Sequence, residues 1–389
     1  RLFYKGDYYL LIEILNHYVQ ITLIWVNLEN KEILVLKNFF QPLPEFNLES
    51  IFLETKLLLK KIGKLNGYKV IVSLDSDFAT TMYSTISLVR SNPKEIIDEA
   101  DLDNLISQAI WRFFDKNRWR VAQKMSADDV DVILSDVRIR DIRIDGHRVV
   151  NPIGFKAKAV EIAFSQTFLI RDCLRGIRDL IPKENIALIT ESGTALCHIL
   201  SLALGDNNFY IANLFPDETA IFASSGERLA HHDSFNWGGN DLHYSLYRHL
   251  RVDQAIANSL IQSYVADNAS QNFLRKFENI LVKELHGFSN GLESLVNAGH
   301  SAIYLNSFFT IPKVIYLPRF HARFQKPIKV LPLSTQLITE KLGYQLQFKL
   351  LDGIKNSVSL LGAVLEAQFL PKNETVSHLA NRRVGWLVN

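Results

Sequence analysis

Cysteine and methionine are scarce in this chain of 389 residues, which has two of each. Cys173 and Cys197 are too few for a disulfide scaffold, and this fits a reducing compartment. We interpret both as inert buried thiols. The sequence also lacks an excess of charge of one sign, because 43 basic residues oppose 41 acidic ones. A net charge of +2 gives no overall attraction to nucleic acid or to an anionic membrane.

Long apolar runs are also missing. The most apolar early stretch, residues 8–26, is interrupted by Glu13, Asn16, His17 and Gln20, whereas a membrane-spanning helix needs about 20 mostly apolar residues. The first residues lack the pattern of a secretory signal. With 48% apolar and 22% charged residues, the composition is that of a folded protein of ~2 to 4 domains or subdomains. These features predict a cytoplasmic location.

The first part of the sequence has the pattern of three strands, a helix and a further strand. Residues 9–15, 19–26 and 32–39 are rich in β-branched and aromatic residues and are separated by turn residues, which predicts consecutive antiparallel strands. Residues 48–65 show helical spacing of apolar side chains, and residues 69–74 are an apolar run typical of a buried strand. This order predicts the opening half of a ribonuclease-H-like unit.

A different piece follows this first part of a first lobe, which we place at residues 1–83. A helical pattern at 101–114 and alternating strands around the tight turn Asp145-Gly146 predict a small inserted α+β subdomain at about residues 84–165. The chain is then expected to return to the first lobe through residues 166–207. The predicted strands of the insertion are residues 130–138, 141–144 and 157–164.

The strand pattern is repeated in the second half of the chain. Residues 209–214, 219–224 and 228–235 predict three more antiparallel strands, and a helix follows at 241–250. This repetition without sequence identity predicts an internal duplication, with two similar lobes facing a cleft. We place the second lobe at residues 208–389. Within it we predict a helical subdomain at about 252–300, later strands at 302–305, 313–317 and 345–348, and a C-terminal tail at about 370–389.

Three segments of the sequence carry a resemblance to a known family. Residues 142–146, followed by Asn151-Pro152-Ile153-Gly154, are similar to the inserted subdomain of FtsA, the bacterial cell-division homologue of actin. Residues 233–240 resemble the strand and Gly-Gly turn after this family's second phosphate loop, and residues 356–364 are similar to its late helix. The resemblance implies an α/β, actin-like two-lobed fold of duplicated ribonuclease-H-like subdomains, with a small α+β insertion in the first lobe.

Glycine is missing where a nucleotide site of this family would need it. Gly-rich turns let backbone amides approach phosphates closely, and acidic residues hold Mg²⁺. The resemblance places the phosphate loops at residues 13–16 and 213–220 and the adenosine turn at 305–309. The first has no glycine, the second carries Pro216-Asp217-Glu218, and the third reads Leu-Asn-Ser-Phe-Phe. Proline removes an amide donor, and the two carboxylates would repel phosphate.

These losses predict a protein that is not an enzyme, with no catalytic residue, no metal site and no ATP or Mg²⁺ cofactor. We interpret the matching positions as a decayed nucleotide site. Its residues are Glu13, Asn16, Asn213, Asp217, Glu218, Gly238, Gly239 and Asn306. A catalytic pair of Glu13 and Asp217 is the alternative, but we favour two residual solvated acids. An active actin-like ATPase is a further alternative, which the altered loops disfavour.

Two other clusters have both a chemical and a plain structural interpretation. Adjacent His231 and His232 point to opposite faces of a strand, so packing or surface roles are favoured over a shared metal. Residues 116–120, Lys-Asn-Arg-Trp-Arg, have side chains that can stack on and neutralise nucleic acid. We favour a solvated helix end instead, because the net charge gives no support, and we expect no nucleic-acid partner.

The C-terminal tail combines apolar and basic residues. Leu379, Trp386 and Leu387 lie near Arg382 and Arg383. The resemblance implies a short version of the amphipathic membrane-binding helix of FtsA, and a packed terminus is the alternative. Either way, so few apolar residues predict at most weak membrane contact.

The resemblance also implies a role. We expect a non-catalytic scaffold or adaptor that links a tubulin-like cell-division filament to the membrane or to other divisome proteins. It would act at the cytoplasmic face of the inner membrane and would self-associate. The alternative is a PilM-like component of a type IV pilus or secretion platform, a family with a turn similar to Gly238-Gly239-Asn240.

Overall fold

The computed structural model describes most of the chain. The described residues are 6–15, 18–43, 47–63, 65, 67–225, 228–296, 302–322, 324–326, 328–348, 357–369, 376 and 379–380. The chain divides into two compact units. The first comprises Arg1–Ile199, Gly343–Ile354 and Leu360–Asn389, and the second comprises Leu200–Leu342 and Lys355–Ser359.

A six-stranded sheet forms the centre of the first unit. Its strands are β1 (Asp7–Leu15), β2 (Tyr18–Asn27), β3 (Glu32–Pro42), β4 (Lys69–Leu74), β9 (Ile186–Glu191) and β15 (Gln345–Phe348). They lie in the order β15-β3-β2-β1-β4-β9. β2 is antiparallel to β1 and β3, whereas β1, β4 and β9 are parallel, as are β15 and β3. β1 and β2 are buried on both faces, which explains their continuous apolar runs.

Helices α1 (Leu48–Ile62) and α3 (Arg171–Leu180) pack on one face of this sheet. The Asn47 side chain begins α1 by accepting a backbone amide of its first turn. A Cβ added to Gly176 of α3 would lie 2.2 Å from the Phe52 ring of α1. The two helices therefore touch at position 176, where any side chain would have to displace the Phe52 ring.

Two further helices, whose greater parts belong to this unit, also meet at a glycine. α4 (Ser192–Leu204) follows β9 directly, and α11 (Ser357–Phe369) is a late helix of small and apolar residues, as the sequence predicts. A Cβ added to Gly362 would lie 3.1 to 3.3 Å from three atoms of Leu196. α11 and α4 are therefore in close contact.

A four-stranded sheet belongs to the inserted subdomain of the first unit. Its strands are β5 (Ala79–Val89), β6 (Val132–Ile144), β7 (His147–Val149) and β8 (Ala159–Ile170). They lie in the order β5-β8-β6-β7, with each neighbouring pair antiparallel. α2 (Glu99–Lys124) packs its apolar side against this sheet. The two strands predicted at 130–138 and 141–144 are one strand, which irregularities after Leu134 and Ile139 bend but do not end.

The second unit has its own five-stranded sheet. Its strands are β10 (Asn208–Leu214), β11 (Thr219–Ser225), β12 (Arg228–Phe235), β13 (Ala302–Ser307) and β14 (Lys329–Pro332), in the order β12-β11-β10-β13-β14. Its helices are α5 (Gly239–Leu250), α6 (Gln254–Val265), α7 (Gln271–Glu284), α8 (His286–Leu295), α9 (Pro318–His321) and α10 (Thr335–Leu342). β10, β11 and β12 pair antiparallel, whereas β10, β13 and β14 pair parallel.

The two larger sheets share one connectivity. Three consecutive antiparallel strands are followed by two parallel ones, giving β3-β2-β1-β4-β9 in the first unit and β12-β11-β10-β13-β14 in the second. The duplication confirms the predicted α/β class, an actin-like fold built from two ribonuclease-H-like subdomains. The four-stranded sheet with α2 is the α+β insertion of the first unit.

The late part of the chain differs from the sequence predictions. The strand predicted at 313–317 is wrong: residues Lys313–Tyr316 form a 3-10 helix between Pro312 and Pro318, and the strand of this region is β14. The second lobe predicted at 208–389 also differs from the structure, because β15 pairs with β3 and joins the first unit. Parallel pairing between distant segments leaves no local sequence pattern.

Candidate functional site

The turn between β10 and β11 occupies the place where the sequence predicts a phosphate loop. The Phe215 amide closes it by donating to the Glu218 carbonyl at 2.9 Å. Asp217 is exposed and Glu218 is half-buried. Pro216 contributes no amide. The turn therefore presents two carboxylates and lacks the backbone amide at position 216. A phosphate site needs the reverse, namely several amide donors and no nearby negative charge.

The turn that leads into α5 has all three of its amides engaged by the protein. The amides of Gly238, Gly239 and Asn240 each donate to an acceptor within the second unit. In that order, the acceptors are the Asp241 carboxylate at 2.8 Å, the Phe215 carbonyl at 3.1 Å and the Pro216 carbonyl at 2.7 Å. A helix N-terminus binds anions through such amides, so the anion site of α5 is already filled.

Packing closes the same turn sterically. A Cβ added to Gly238 would lie 2.4 Å from the carbonyl oxygens of Phe215 and Pro216. One added to Gly239 would lie 2.9 Å from the Phe309 ring, which comes from the predicted adenosine turn. The two glycines therefore serve close packing, and an aromatic ring covers the second of them.

Two further predicted site residues pair with each other inside the second sheet. Asn213 on β10 and Asn306 on β13 are in register, and both are buried. The Asn306 side-chain amide donates to the Asn213 side-chain oxygen at 2.9 Å. This bond joins the carboxyl ends of two neighbouring parallel strands, so both residues help to hold the sheet together.

Glu13 is buried and not solvated. It lies on β1 with 0% exposure, and the Gln20 side chain donates to its Oε2 at 3.2 Å. Burial raises the pKa of the Glu13 carboxyl to about 8, and the Gln20 hydrogen bond offsets only part of this rise. The carboxyl is therefore mostly protonated at neutral pH, and the prediction of a residual solvated acid is wrong for Glu13. Asn16, from the same predicted loop, lies outside the described residues.

A second buried carboxylate, which the sequence analysis missed, has four donors. Glu191 ends β9 and is fully buried. Its oxygens accept from the Lys124 ammonium at 2.9 Å, the Ser76 hydroxyl at 2.8 Å, the Thr194 hydroxyl at 2.7 Å and the Thr81 amide at 3.0 Å. The site fastens α2 to the end of β9. Its sequence signal is an acidic residue that directly ends an apolar strand.

A third buried carboxylate fastens α11. Glu366 contacts Arg140 and His198, and Arg140 also donates to the Tyr83 hydroxyl at 2.9 Å. Burial alone would raise the pKa of Glu366, but His198 and Arg140 lower it to about 2. One ionic cluster therefore joins β5, β6, α4 and α11 within the first unit.

The predictions for the C-terminal tail fall mostly outside the described residues. The four residues predicted to contact a membrane lie there, namely Trp386, Leu387, Arg382 and Arg383. The side chains of His231 and His232 are also outside the description. Leu379 is buried with Val376 and Ala380 in the core of the inserted subdomain, so it does not face a membrane. No helix in the described part of the chain combines the length and apolar character that a bilayer crossing requires.

Comparisons with known proteins do not name a family for this chain. No protein-family model matches the chain, and no curated protein matches its sequence. Three solved structures are similar: a PilM-PilN type IV pilus biogenesis complex (13% identity, TM-score 0.41, 97% of this chain and 98% of that one), a Bacteroides thetaiotaomicron protein with an actin-like ATPase fold (13%, 0.40, 86% and 95%), and the ethanolamine utilization protein EutJ from Carboxydothermus hydrogenoformans (9%, 0.36, 94% and 90%). At these scores the fold assignment rests on the connectivity of the two sheets.

Proposed function

We propose that the chain is a non-catalytic adaptor of actin-like fold that does not bind or hydrolyse ATP. The observation that carries this proposal is the engaged turn at residues 238–240. A phosphate group would have to displace two backbone carbonyls and the Asp241 carboxylate, and each lost hydrogen bond costs about 1 kcal/mol. Asp217 would add repulsion, because its exposed carboxylate is bound to the same turn through Asn240 at 2.6 Å.

Glu13 supports the same proposal from the first unit. A carboxylate must be ionised to hold Mg²⁺ or to orient an attacking water. The buried Glu13 carboxyl, with a pKa of about 8, is mostly neutral at pH 7. Binding Mg²⁺ at this position would first require ionisation of a buried carboxyl, which its raised pKa disfavours.

Titration calorimetry with MgATP and MgADP tests the proposal. We expect no heat beyond dilution up to millimolar nucleotide. Saturable one-to-one binding would overturn it. The matched comparison is Gly238→Ala, whose Cβ would lie 2.4 Å from the Phe215 and Pro216 carbonyl oxygens and must displace the turn, so heat that is unchanged in this variant arises elsewhere in the protein.

The outer face of α2 offers a surface for a protein partner. Trp111 and Trp119 are 49% and 56% exposed, and eight helical residues place them ~12 Å apart along the axis. Arg112, Lys116 and Arg120 are exposed around them. Tryptophan and arginine are enriched at the hot spots of protein interfaces. The face therefore suits a partner segment that carries acidic and apolar side chains.

By the resemblance of its sequence to FtsA, we propose that the partner is a tubulin-like cell-division protein or another divisome protein. Co-sedimentation of the purified chain with filaments of the division protein tests this. We expect binding that the double variant Trp111→Ala, Trp119→Ala abolishes. The matched control is Tyr244→Ala, Tyr247→Ala, which removes another exposed aromatic pair, on α5. Equal loss in both variants, or no binding by the parent, would refute the assignment.

A PilM-like role in a type IV pilus or secretion platform is the second candidate. The sequence feature that favours it is the Gly238-Gly239-Asn240 turn, and this role also needs no catalysis. Binding to purified pilus-platform proteins, with none to division filaments, would select it over the first candidate. Sedimentation velocity of the chain alone measures the predicted self-association.

A further inference from the structure

The second unit carries a pocket of about 440 Å³ along α5, with one side at the end of α7. Asp241, Tyr244 and Arg248 line it at three- and four-residue spacing, so one face of α5 forms a wall. Trp237, which precedes α5, and Glu284, which ends α7, line it as well. We call this the α5 pocket. Its volume lies in the range of about 300 to 1,000 Å³ that is usual for small-molecule sites.

The indole of Trp237 is the most buried part of the α5 pocket, with 5% of the residue exposed. Its ring packs on Phe288, with the ring centroids 4.8 Å apart. Its pyrrole edge lies beside Gly287, where an added Cβ would lie 3.1 Å from Cδ1 and 3.6 Å from Nε1, so no side chain covers the edge from that position. The indole N–H has no acceptor among the described residues. A buried tryptophan N–H usually has a hydrogen-bond partner, so this edge suits an acceptor group of a ligand.

Two carboxylates of the α5 pocket are each held by one oxygen and offer the other. Oδ2 of Asp241 accepts from the Gly238 amide at 2.8 Å. Oε1 of Glu284 lies 2.9 Å from Nδ1 of His249, which also lines the pocket. Neither Oδ1 of Asp241 nor Oε2 of Glu284 has a donor among the residues that the structure describes. Both carboxylates are therefore positioned in advance to accept from a ligand.

A cation with no carboxylate partner lies in the same pocket. The Arg248 guanidinium lies over the Tyr244 ring, 5.8 Å from its centroid, and forms no ion pair or hydrogen bond with a described residue. Side chains of a helix point toward its N-terminus, so Arg248 extends toward the turn of α5 that holds Asp241. The pocket therefore offers a guanidinium and an indole N–H to an acceptor, and two carboxylate oxygens to donors.

We infer that the α5 pocket binds a basic amino acid, such as free lysine or arginine. The ligand's carboxylate accepts from the Arg248 guanidinium and the Trp237 N–H, its α-ammonium donates to Asp241, and its side-chain cation donates to Glu284. Two carboxylates and one guanidinium in the pocket thus complement two cations and one carboxylate in the ligand.

The charges of the pocket disfavour other small ligands. A phosphate or a dicarboxylate would be repelled by the two carboxylates, and a neutral sugar would leave all three charged groups without a counter-charge. The inference goes beyond the proposed function and does not depend on it, because it concerns neither a nucleotide nor the outer face of α2.

Titration calorimetry of the full chain with L-lysine and L-arginine tests the inference. One site with a dissociation constant of roughly 0.01 to 1 mM is expected for a ligand of this size. L-norleucine, which lacks the side-chain cation, and cadaverine, which lacks the carboxylate, should each bind about tenfold more weakly or worse. Arg248→Met should weaken lysine binding by about the same factor, and the matched control Arg275→Met, which changes an exposed arginine of α7, should not. Circular dichroism confirms that both variants fold.

The indole N–H signals locate the ligand directly. The chain has five tryptophans, so ¹⁵N-indole labelling gives five N–H resonances. One of them should shift as lysine is added, and it should be the resonance that is missing from the Trp237→Phe spectrum. The inference is overturned if neither lysine nor arginine binds, if norleucine or cadaverine binds as well as lysine, if Arg248→Met and Arg275→Met bind alike, or if the shifted resonance belongs to another tryptophan. Any of these results would leave the nucleotide and filament tests of the proposed function unchanged.

Discussion

The buried carboxyl of Glu13 gives the most direct test of the physical reasoning. In the folded state it lies on β1 with one hydrogen bond from Gln20, and its Oε1 has no hydrogen-bond partner among the described residues. Glutamine has the same shape and can accept the same bond from Gln20, but it carries no proton to lose. The Glu13→Gln variant therefore removes the titration while keeping the packing.

The sign and size of the effect follow from the pKa of the folded carboxyl. It is about 8, against 4.5 for an ordinary glutamate, so between these values the folded protein keeps a proton that the unfolded chain releases. The free energy of unfolding of the parent should then fall as pH rises, by about 1.4 kcal/mol per pH unit relative to the variant. From pH 5 to pH 7 this amounts to about 3 kcal/mol, and above about pH 8 the difference should level off.

Urea unfolding of parent and variant at several pH values between 5 and 9 measures this difference. The quantity of interest is the gap between the two unfolding free energies and its slope with pH. Asp217→Asn, which removes an exposed acid, is the control and should follow the parent. If the unfolding free energies of the parent and Glu13→Gln changed in parallel with pH, Glu13 would be ionised in the folded protein. The argument that its buried carboxyl is neutral would then fail.

Three further predictions concern buried groups. Glu366→Gln should remove about 3 kcal/mol of stability at pH values above 4.5. The parent loses this stability as the pH falls toward the Glu366 pKa of about 2, so the unfolding free energies of parent and variant should converge at low pH. Lys124→Met should cost about 1 to 3 kcal/mol in urea unfolding, because the buried Glu191 loses its paired cation while its three other donors remain, and adding Glu191→Gln should restore part of it. Gly238→Ala should lower stability by about 1 to 3 kcal/mol in thermal melts, unlike Ser245→Ala, which changes a half-buried residue of the same helix.

Local sequence patterns predicted the elements that are made locally. β1 to β3, and again β10 to β12, are strands joined by turns, and their apolar runs and turn residues are visible in the sequence. β14 and β15 are short strands of four residues each, and β15 pairs with β3, which is remote in the chain. Nothing local specifies β3 as the partner of β15, so the return of the chain to the first unit could be seen only in the structure.

The site was predictable in its composition and not in its bonding. Pro216 and the two acids beside it can be read directly from the sequence. These residue types alone disfavour the binding of a phosphate group. The engagement of the three amides at 238–240 depends on where the carbonyls of Phe215 and Pro216 come to lie after β10 and β12 pair with β11. The sequence analysis missed the burial of Glu13 because it placed this acid in solvent. β1 is covered on both faces, so an ionisable residue in it has no solvent-facing side.

The bonded state of this turn bears on the proposal that the chain binds no nucleotide. Backbone amides at a helix N-terminus need acceptors, and a site that had merely lost its ligand would leave them to water. Here the carbonyls of Phe215 and Pro216 and the Asp241 carboxylate supply those acceptors, and Phe309 covers Gly239. Under the proposed function, these groups stand where phosphate oxygens would have to bind. Pro216→Gly alone would return one amide and leave every acceptor in place, so it should not create a nucleotide site.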